Sequence, residues 1–179
     1  MPFLIAAVVI LAVLCLLNLL LTFGVIRKLR VQRAEPYAGD DPGLMLPNGS
    51  AVPAFAADTL DGGRISQENL RNALIGFVST TCSACKEQLP HFLDVAGQHR
   101  ALGRPVVTFV HGDAEEARAL AEPLRAVGQV VVEDAPHEGP TERAFRIEGY
   151  PVFGIVDATG TLVASNIKVR KLPVPAPVG

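Results

Sequence analysis

Short apolar runs alternate with helical patterns along the middle of the chain, and this alternation constrains the fold more than any other sequence feature. Residues 73–79 (ALIGFVS) and 105–111 (PVVTFVH) are continuous apolar runs, which are typical of strands buried on both faces of a sheet. Residues 83–100 place apolar side chains at helical spacing, and residues 114–126 are rich in the helix formers Glu, Arg and Ala. Strands that alternate with helices in this way predict an α/β fold with helices covering the sheet.

Shorter elements complete the predicted pattern. The expected strand 51–58 precedes a short helix over residues 66–72, for which Ser66 is a candidate N-cap. The other expected elements are a strand over 129–133, a helix over 141–147 and a hairpin of strands 151–157 and 161–166.

An uncharged apolar run occupies residues 3–26. As a helix rising about 1.5 Å per residue it would measure roughly 36 Å, enough to cross a hydrocarbon core of about 30 Å. A cleaved signal peptide or a buried core helix are the alternatives. The chain starts Met1-Pro2 without a basic residue, and the run ends at the basic residues of 27–30, so we expect an uncleaved single-pass anchor in the cell membrane that contacts lipid through residues 3–26.

The remainder of the chain divides into three parts. Residues 27–47 are a basic flank and linker, residues 48–166 the folded domain, and residues 167–179 a proline-rich tail. Because proline removes a backbone donor and clashes with the preceding turn, we expect no C-terminal helix in this tail. The formal net charge of −2 argues against a nucleic-acid partner.

A Cys-x-x-Cys motif, Cys82 to Cys85, lies where the apolar run 73–79 passes into the helical pattern 83–100. The backbone N–H groups and dipole at a helix N-terminus favour a thiolate at Cys82. A thiolate there can attack a disulfide, and Cys85, one turn further on, can resolve the mixed disulfide. The sequence therefore predicts thiol–disulfide chemistry.

Three other interpretations of the cysteine pair stay open. The two residues could form a structural disulfide, half of a zinc site, or two inert buried thiols. No second cysteine pair exists, and His91 and His99 lack the usual spacing of zinc ligands. We therefore predict no metal centre and no cofactor.

Several further residues accompany the cysteine pair in a recognisable combination: Val52-Pro53-Ala54-Phe55, the Asp61-Gly62 turn, Pro90, Gly149-Tyr150-Pro151 and the hairpin from Asp157 to Gly160. Over residues 48–166 the chain resembles the thioredoxin superfamily, and within it the membrane-anchored TlpA/AhpC-TSA branch. The stretch 80–90 (TTCSACKEQLP) is also similar to MauD-like accessory proteins of methylamine utilisation.

The resemblance implies a thioredoxin-like sheet flanked by helices and a role for four residues. Cys82 would be the nucleophile, Cys85 the resolving thiol, and the two would form the disulfide Cys82–Cys85. Pro151 would be a cis-proline facing them, and the backbone of Tyr150 would contact a substrate chain. A trans proline that opens a strand is the alternative for Pro151. The partners expected on this basis are a cysteine-containing protein substrate and an electron donor or acceptor that the sequence does not identify.

The chain departs from the family pattern at three places. Thr81 stands where a tryptophan is usual, and Gly76 stands where the family has a buried acid. The proline-rich tail replaces the C-terminal helix, which leaves an apolar face for a membrane or a partner protein to cover.

Two features predict opposite sides of the membrane for the folded domain. The basic residues lie only on the C-terminal flank of the apolar run, so the positive-inside rule favours a cytoplasmic domain. The resemblance favours the extracytoplasmic side, where disulfides are made and persist. We expect the extracytoplasmic side by a narrow margin.

The leading functional hypothesis is a membrane-tethered thiol–disulfide oxidoreductase. A copper chaperone of the same fold, with His137 as a loose candidate ligand, and a thiol peroxidase are the alternatives. The remaining polar residues are expected to have no catalytic role. We predict His91, His99, His111 and His137 to be surface or internally satisfied histidines, and Glu133-Asp134 to be a solvated face.

Overall fold

A computed structural model describes residues 11, 14–16, 18–19, 41–134 and 139–173. The chain divides into two units, Met1–Ala38 and Gly39–Gly179. In the first unit the described residues are helical and their leucines are exposed. Within the described part of the chain, no helix has the length and apolarity needed to cross a membrane. The described residues exclude most of the predicted anchor 3–26. They also exclude His137 and residues 174–179.

A mixed five-stranded sheet forms the centre of the second unit. Its strands, in the order β5-β4-β3-β6-β7, are β3 Leu74–Ser79, β4 Val106–His111, β5 Gln129–Glu133, β6 Val152–Val156 and β7 Leu162–Asn166. Strands β3, β4 and β5 run parallel, whereas β6 is antiparallel to both β3 and β7. A separate antiparallel hairpin, β1 Ala56–Asp58 and β2 Arg64–Ser66, precedes the sheet. The α/β sheet predicted from the apolar runs is confirmed.

Three helices connect the strands of the sheet: α1 Ser83–Ala101, α2 Ala114–Arg125 and α3 Pro140–Phe145. The helix expected over residues 66–72 is a short 3-10 turn, Gln67–Leu70, and the hydroxyl of Ser66 caps it by accepting the Glu68 N–H. Asn69 reaches back to the Ser66 N–H, so the turn is closed by reciprocal side-chain bonds.

Apolar side chains pack on both faces of the sheet, which explains why the central strands have no polar alternation. On one face Leu74 and Val78 belong to an apolar cluster with buried residues of α1 and α2, among them Phe92 and Leu124. On the opposite face Phe77 belongs to an aromatic cluster. Its other members are Phe55, Phe109 and Phe145. Every residue of β3 is therefore buried.

The folded unit extends beyond residues 48–166 at both ends. Met45 and Leu46, which the sequence analysis places in the linker, are buried in the core, and the Leu46 N–H donates to the Phe145 carbonyl at 2.8 Å. After β7, the described residues form a 3-10 turn, Val169–Lys171, in place of a C-terminal helix. Val169 and Leu172 are buried in the α1 face of the core, so the tail itself covers part of the surface that we expected to be left apolar.

Candidate active site

The cysteine pair lies at the N-terminus of α1, where strand β3 ends. Cys82 is the N-cap residue of this helix, and its Sγ accepts a hydrogen bond from the Cys85 N–H at 3.1 Å. The Cys82 side chain is partly exposed, and both residues are free thiols in this structure. The N–H groups of a helix start stabilise negative charge on an N-cap atom, so the location gives Cys82 the surroundings of a nucleophile.

Cys85 has a different environment, although it is only three residues away. Its side chain is 1% exposed, and the Ser79 N–H donates to its Sγ at 3.5 Å. Burial, and after it the hydrogen bond with Cys82, raise the pKa of the Cys85 thiol to about 12. The structure therefore separates one accessible sulfur from one that stays protonated inside the protein.

The raised pKa of Cys85 predicts a loss of stability in alkaline solution. A cysteine in the unfolded chain ionises near pH 8.5, whereas the folded thiol keeps its proton up to about pH 12. Between these values the folded state binds more protons than the unfolded state, so the free energy of unfolding falls as the pH rises. The slope contributed by this one group is at most about 1.4 kcal/mol per pH unit.

Urea denaturation of the reduced protein and of a Cys85→Ala variant, at pH 8 and at pH 10, measures this effect. We expect the parent to lose about 1–2 kcal/mol more than the variant over this interval. An identical pH dependence in the two proteins would show that the folded thiol ionises normally.

The segment before β6 faces the cysteine pair. The Tyr150–Pro151 peptide bond is cis, as the family resemblance implied. The Cys82 thiol donates to the Tyr150 carbonyl oxygen at 3.4 Å. This contact brings together residues that are 68 positions apart in the sequence. Cys82, Cys85 and the cis-proline segment thus lie together at one place in the fold.

Aromatic side chains occupy the space at Gly76, where the resemblance leads us to expect a buried acid. A Cβ atom on Gly76 would lie 3.0 Å from the Phe92 ring and 3.1 Å from the Phe153 ring. Glu87, which could have replaced that acid, is exposed on α1. Thr81, at the position of the usual tryptophan, is exposed as well.

A second polar cluster is not predicted by any sequence pattern. His111, Glu133 and Glu142 come together behind the Tyr150 ring, whose centroid lies 5.4 Å from that of His111. The expected solvated face at Glu133-Asp134 is wrong for Glu133, which is buried, although Asp134 is exposed. His111 and Glu133 each end an apolar strand, and the ends of adjacent parallel strands lie at the same edge of a sheet, which is the signal that could have located them.

Comparison with known proteins identifies the fold. No family model matches the chain, and no curated protein sequence matches it. Among solved structures, the thioredoxin domain of a thiol-disulfide oxidoreductase from Bacteroides vulgatus has a TM-score of 0.61 and 22% identity, covering 71% of this chain and 93% of that one. A thiol-disulfide oxidoreductase from Bacteroides fragilis has a TM-score of 0.60 and 17% identity, covering 69% and 94%.

A thio-disulfide isomerase from Thermus thermophilus is also similar, with a TM-score of 0.54 and 20% identity over 68% of this chain and 86% of that one. The second unit of the chain therefore has the thioredoxin-like fold.

Proposed function

We propose that the protein is a membrane-tethered thiol–disulfide oxidoreductase that acts on cysteines of partner proteins through Cys82 and Cys85. The observation that carries the proposal is the geometry around Cys82. Its sulfur is partly exposed at a helix N-terminus, accepts the Cys85 N–H at 3.1 Å and lies 3.4 Å from the carbonyl that precedes the cis-proline. Solved structures with the same fold carry the names of thiol-disulfide oxidoreductases, which supports the assignment.

In the reducing direction the exchange proceeds in two displacements. The Cys82 thiolate attacks one sulfur of the substrate disulfide, the substrate S–S bond breaks, and the second substrate sulfur leaves as a thiolate. Cys85 then loses its proton and attacks the Cys82 sulfur of the mixed disulfide. The Cys82–Cys85 disulfide forms and the first substrate sulfur is released as a thiol. The oxidising direction is the reverse, and the relative reduction potentials of the two partners decide between them.

Tyr150 and Pro151 form the surface on which the substrate would lie. Because the Tyr150 carbonyl already contacts the Cys82 sulfur, a substrate cysteine that reaches Cys82 must lie beside this backbone. An extended substrate chain can bind such a segment through main-chain hydrogen bonds, which are independent of its side chains. The site therefore suits a protein or peptide substrate.

The burial of Cys85 disfavours the copper-chaperone alternative. A chaperone that holds Cu(I) between two thiolates needs both sulfurs at the metal and both deprotonated. Cys85 is 1% exposed and its pKa is raised by burial, which suits a thiol that reacts only after a mixed disulfide has formed.

Trapping of a mixed disulfide tests the proposed exchange. In the Cys85→Ser variant, Cys82 can still attack a disulfide but the resolving step is removed. Incubation of the reduced variant with an excess of a disulfide-bonded peptide should yield a covalent 1:1 adduct that a reductant releases. The parent should instead turn over and accumulate little adduct. An absence of adduct, in a variant that retains the parent's circular dichroism, would contradict the assignment of Cys82 as the nucleophile.

We further propose that residues 3–26 hold the protein in the cell membrane with the thioredoxin-like unit outside the cytoplasm. The uncharged run supports the anchor, and the persistence of disulfides outside the cytoplasm supports the orientation. The full chain should remain in the membrane fraction after alkaline extraction, whereas a variant lacking residues 3–26 should not. A phosphatase that is active only after export, fused after Gly179, should be active. Activity of a cytoplasmic reporter at the same position would reverse the orientation.

A further inference from the structure

The buried polar cluster beside the active site is built from three elements. His111 and Glu133 are the last residues of β4 and β5 and are register partners across the sheet, whereas Glu142 belongs to α3. The Nδ1 atom of His111 and one carboxylate oxygen of each glutamate lie within 4.8 Å of one another. The exposed fractions of His111, Glu133 and Glu142 are 0%, 9% and 2%. One imidazole nitrogen, a ligand of intermediate hardness, and two carboxylate oxygens, which are hard ligands, therefore lie close together inside the protein.

The distances within the cluster are compatible with three ligands around a single metal ion. The His111 Nδ1 lies 3.4 Å from Glu142 Oε1 and 3.6 Å from Glu133 Oε2. These are also the separations of ion pairs between an imidazole and a carboxylate. They match the edge of about 3.3–3.6 Å of a tetrahedron whose metal–ligand bonds measure about 2.0–2.2 Å.

Neighbouring groups orient both carboxylates toward the cluster. Thr141 donates its N–H to Glu133 Oε1 at 3.2 Å and its hydroxyl to Glu133 Oε2 at 2.8 Å. The Gly139 N–H donates to Glu142 Oε2 at 3.4 Å. Gly139 also lies directly against the Glu133 carboxylate, where a Cβ atom would collide with it. Such outer donors fix the position of metal-ligating carboxylates in characterised sites.

We propose that His111, Glu133 and Glu142 bind a divalent metal ion of the zinc class, with water completing the coordination. One imidazole nitrogen and two carboxylate oxygens form a donor set that suits Zn²⁺. Two ionised carboxylates are costly to bury together, and a divalent cation neutralises both. The ion would connect the ends of β4 and β5 to α3, so its role in this position is structural.

The proposed site is adjacent to the thiol pair but uses none of its atoms. The His111 ring contacts the Tyr150 ring, and the Tyr150 carbonyl contacts the Cys82 sulfur. Bound metal would therefore stabilise the segment that presents the cis-proline. Metal binding at this site does not depend on the redox function proposed above, and the two proposals can fail separately.

The experiment removes the cysteines so that thiolates cannot bind the metal. The full chain carrying Cys15→Ser, Cys82→Ser and Cys85→Ser is stripped with a chelator and titrated with Zn²⁺ by calorimetry. We expect one zinc ion per chain and a higher melting temperature after zinc addition. Glu142→Gln in this background should lower the affinity at least tenfold and remove the rise in melting temperature, while Glu116→Gln on the exposed face of α2 should change neither.

Two outcomes overturn the proposal: the cysteine-free chain binds no stoichiometric zinc, or Glu142→Gln binds it as tightly as the parent. If Glu142→Gln fails to fold, Co²⁺ decides the question in the cysteine-free parent. Tetrahedral nitrogen and oxygen ligands give Co²⁺ much stronger visible absorption than water does, so a spectrum identical to that of aqueous Co²⁺ also overturns the proposal.

Discussion

Replacement of Cys82 by serine should reduce disulfide exchange to the uncatalysed rate. The serine hydroxyl is not ionised at neutral pH and does not attack a disulfide, and the buried Cys85 thiol does not replace it. Removal of a nucleophile on which both steps depend costs about three orders of magnitude or more in turnover. The measurement is the rate of reduction of a disulfide-bonded protein such as insulin by the full chain, with a dithiol as the electron donor.

Cys15→Ser is the matched control for this experiment, because it makes the same atomic change at a cysteine outside the site. We expect it to keep the parent rate. Cys85→Ser should also lose turnover, but it should still form the mixed disulfide, which distinguishes the second step from the first. If Cys82→Ser retains more than a few per cent of the parent rate, the pair is not the redox centre.

Introduction of the family's acid at position 76 should strongly destabilise the protein. The Cβ of an aspartate there would lie 3.0 Å from Phe92 and 3.1 Å from Phe153, and these two rings are fully buried and stacked at 5.2 Å. Overpacking of this kind costs about 1–3 kcal/mol, and a buried carboxyl group adds about 1–3 kcal/mol more when it lacks a partner. We expect Gly76→Asp to lower the free energy of unfolding by about 3 kcal/mol or more.

Two further variants separate the steric cost from the cost of burying a carboxyl group in the expected loss of free energy of unfolding. Gly76→Ala tests the steric part alone and should cost about 1–3 kcal/mol. Gly97→Asp places the same side chain on α1 at a position with no heavy atom within 4 Å of the new Cβ, so it should change stability little. Urea denaturation of the three proteins gives the comparison. A Gly76→Asp protein as stable as Gly97→Asp would show that the core accommodates the acid.

The absence of that acid has a consequence for the chemistry. In the proposed exchange Cys85 must lose its proton before it attacks the mixed disulfide, and burial followed by its hydrogen bond with Cys82 raises its pKa to about 12. With Gly76 in the core and Glu87 exposed, neither position supplies a buried base. In the mixed disulfide, Cys82 has neither a thiol proton nor a negative charge. Part of the cause that raises the pKa of Cys85 is then removed.

Most of the secondary structure was predictable because it depends on local patterns. Strand β5, Gln129–Glu133, has the bounds expected from its apolar run, and α1 differs by one residue from the helical pattern 83–100. The expected helix over 66–72 ends at Leu70 because the backbone of Arg71 is extended and Asn72 has a positive φ of 58°. The core contacts of Met45 and Leu46 escaped prediction because an isolated apolar pair in a proline- and glycine-rich stretch has no period.

The sequence predicts those parts of the candidate site that depend on neighbouring residues or on the resemblance to a known family. The order of strand and helix places Cys82 at a helix N-terminus, and the residue spacing places Cys85 one turn later. Tyr150 and Pro151 were located by resemblance, since 68 residues separate this segment from the sulfur that it contacts. The His111, Glu133 and Glu142 cluster had neither a short motif nor a counterpart in the resemblance.

The sequence by itself determined the alternation of strands and helices, the position of the thiol pair at a helix start and the uncharged run that we propose as an anchor. These properties depend on residues that are neighbours in the chain. The tertiary structure decided the burial of Cys85, the approach of Tyr150 to Cys82 and the assembly of the buried histidine and glutamates. These depend on strand order and register, which bring distant residues together only after the sheet has formed.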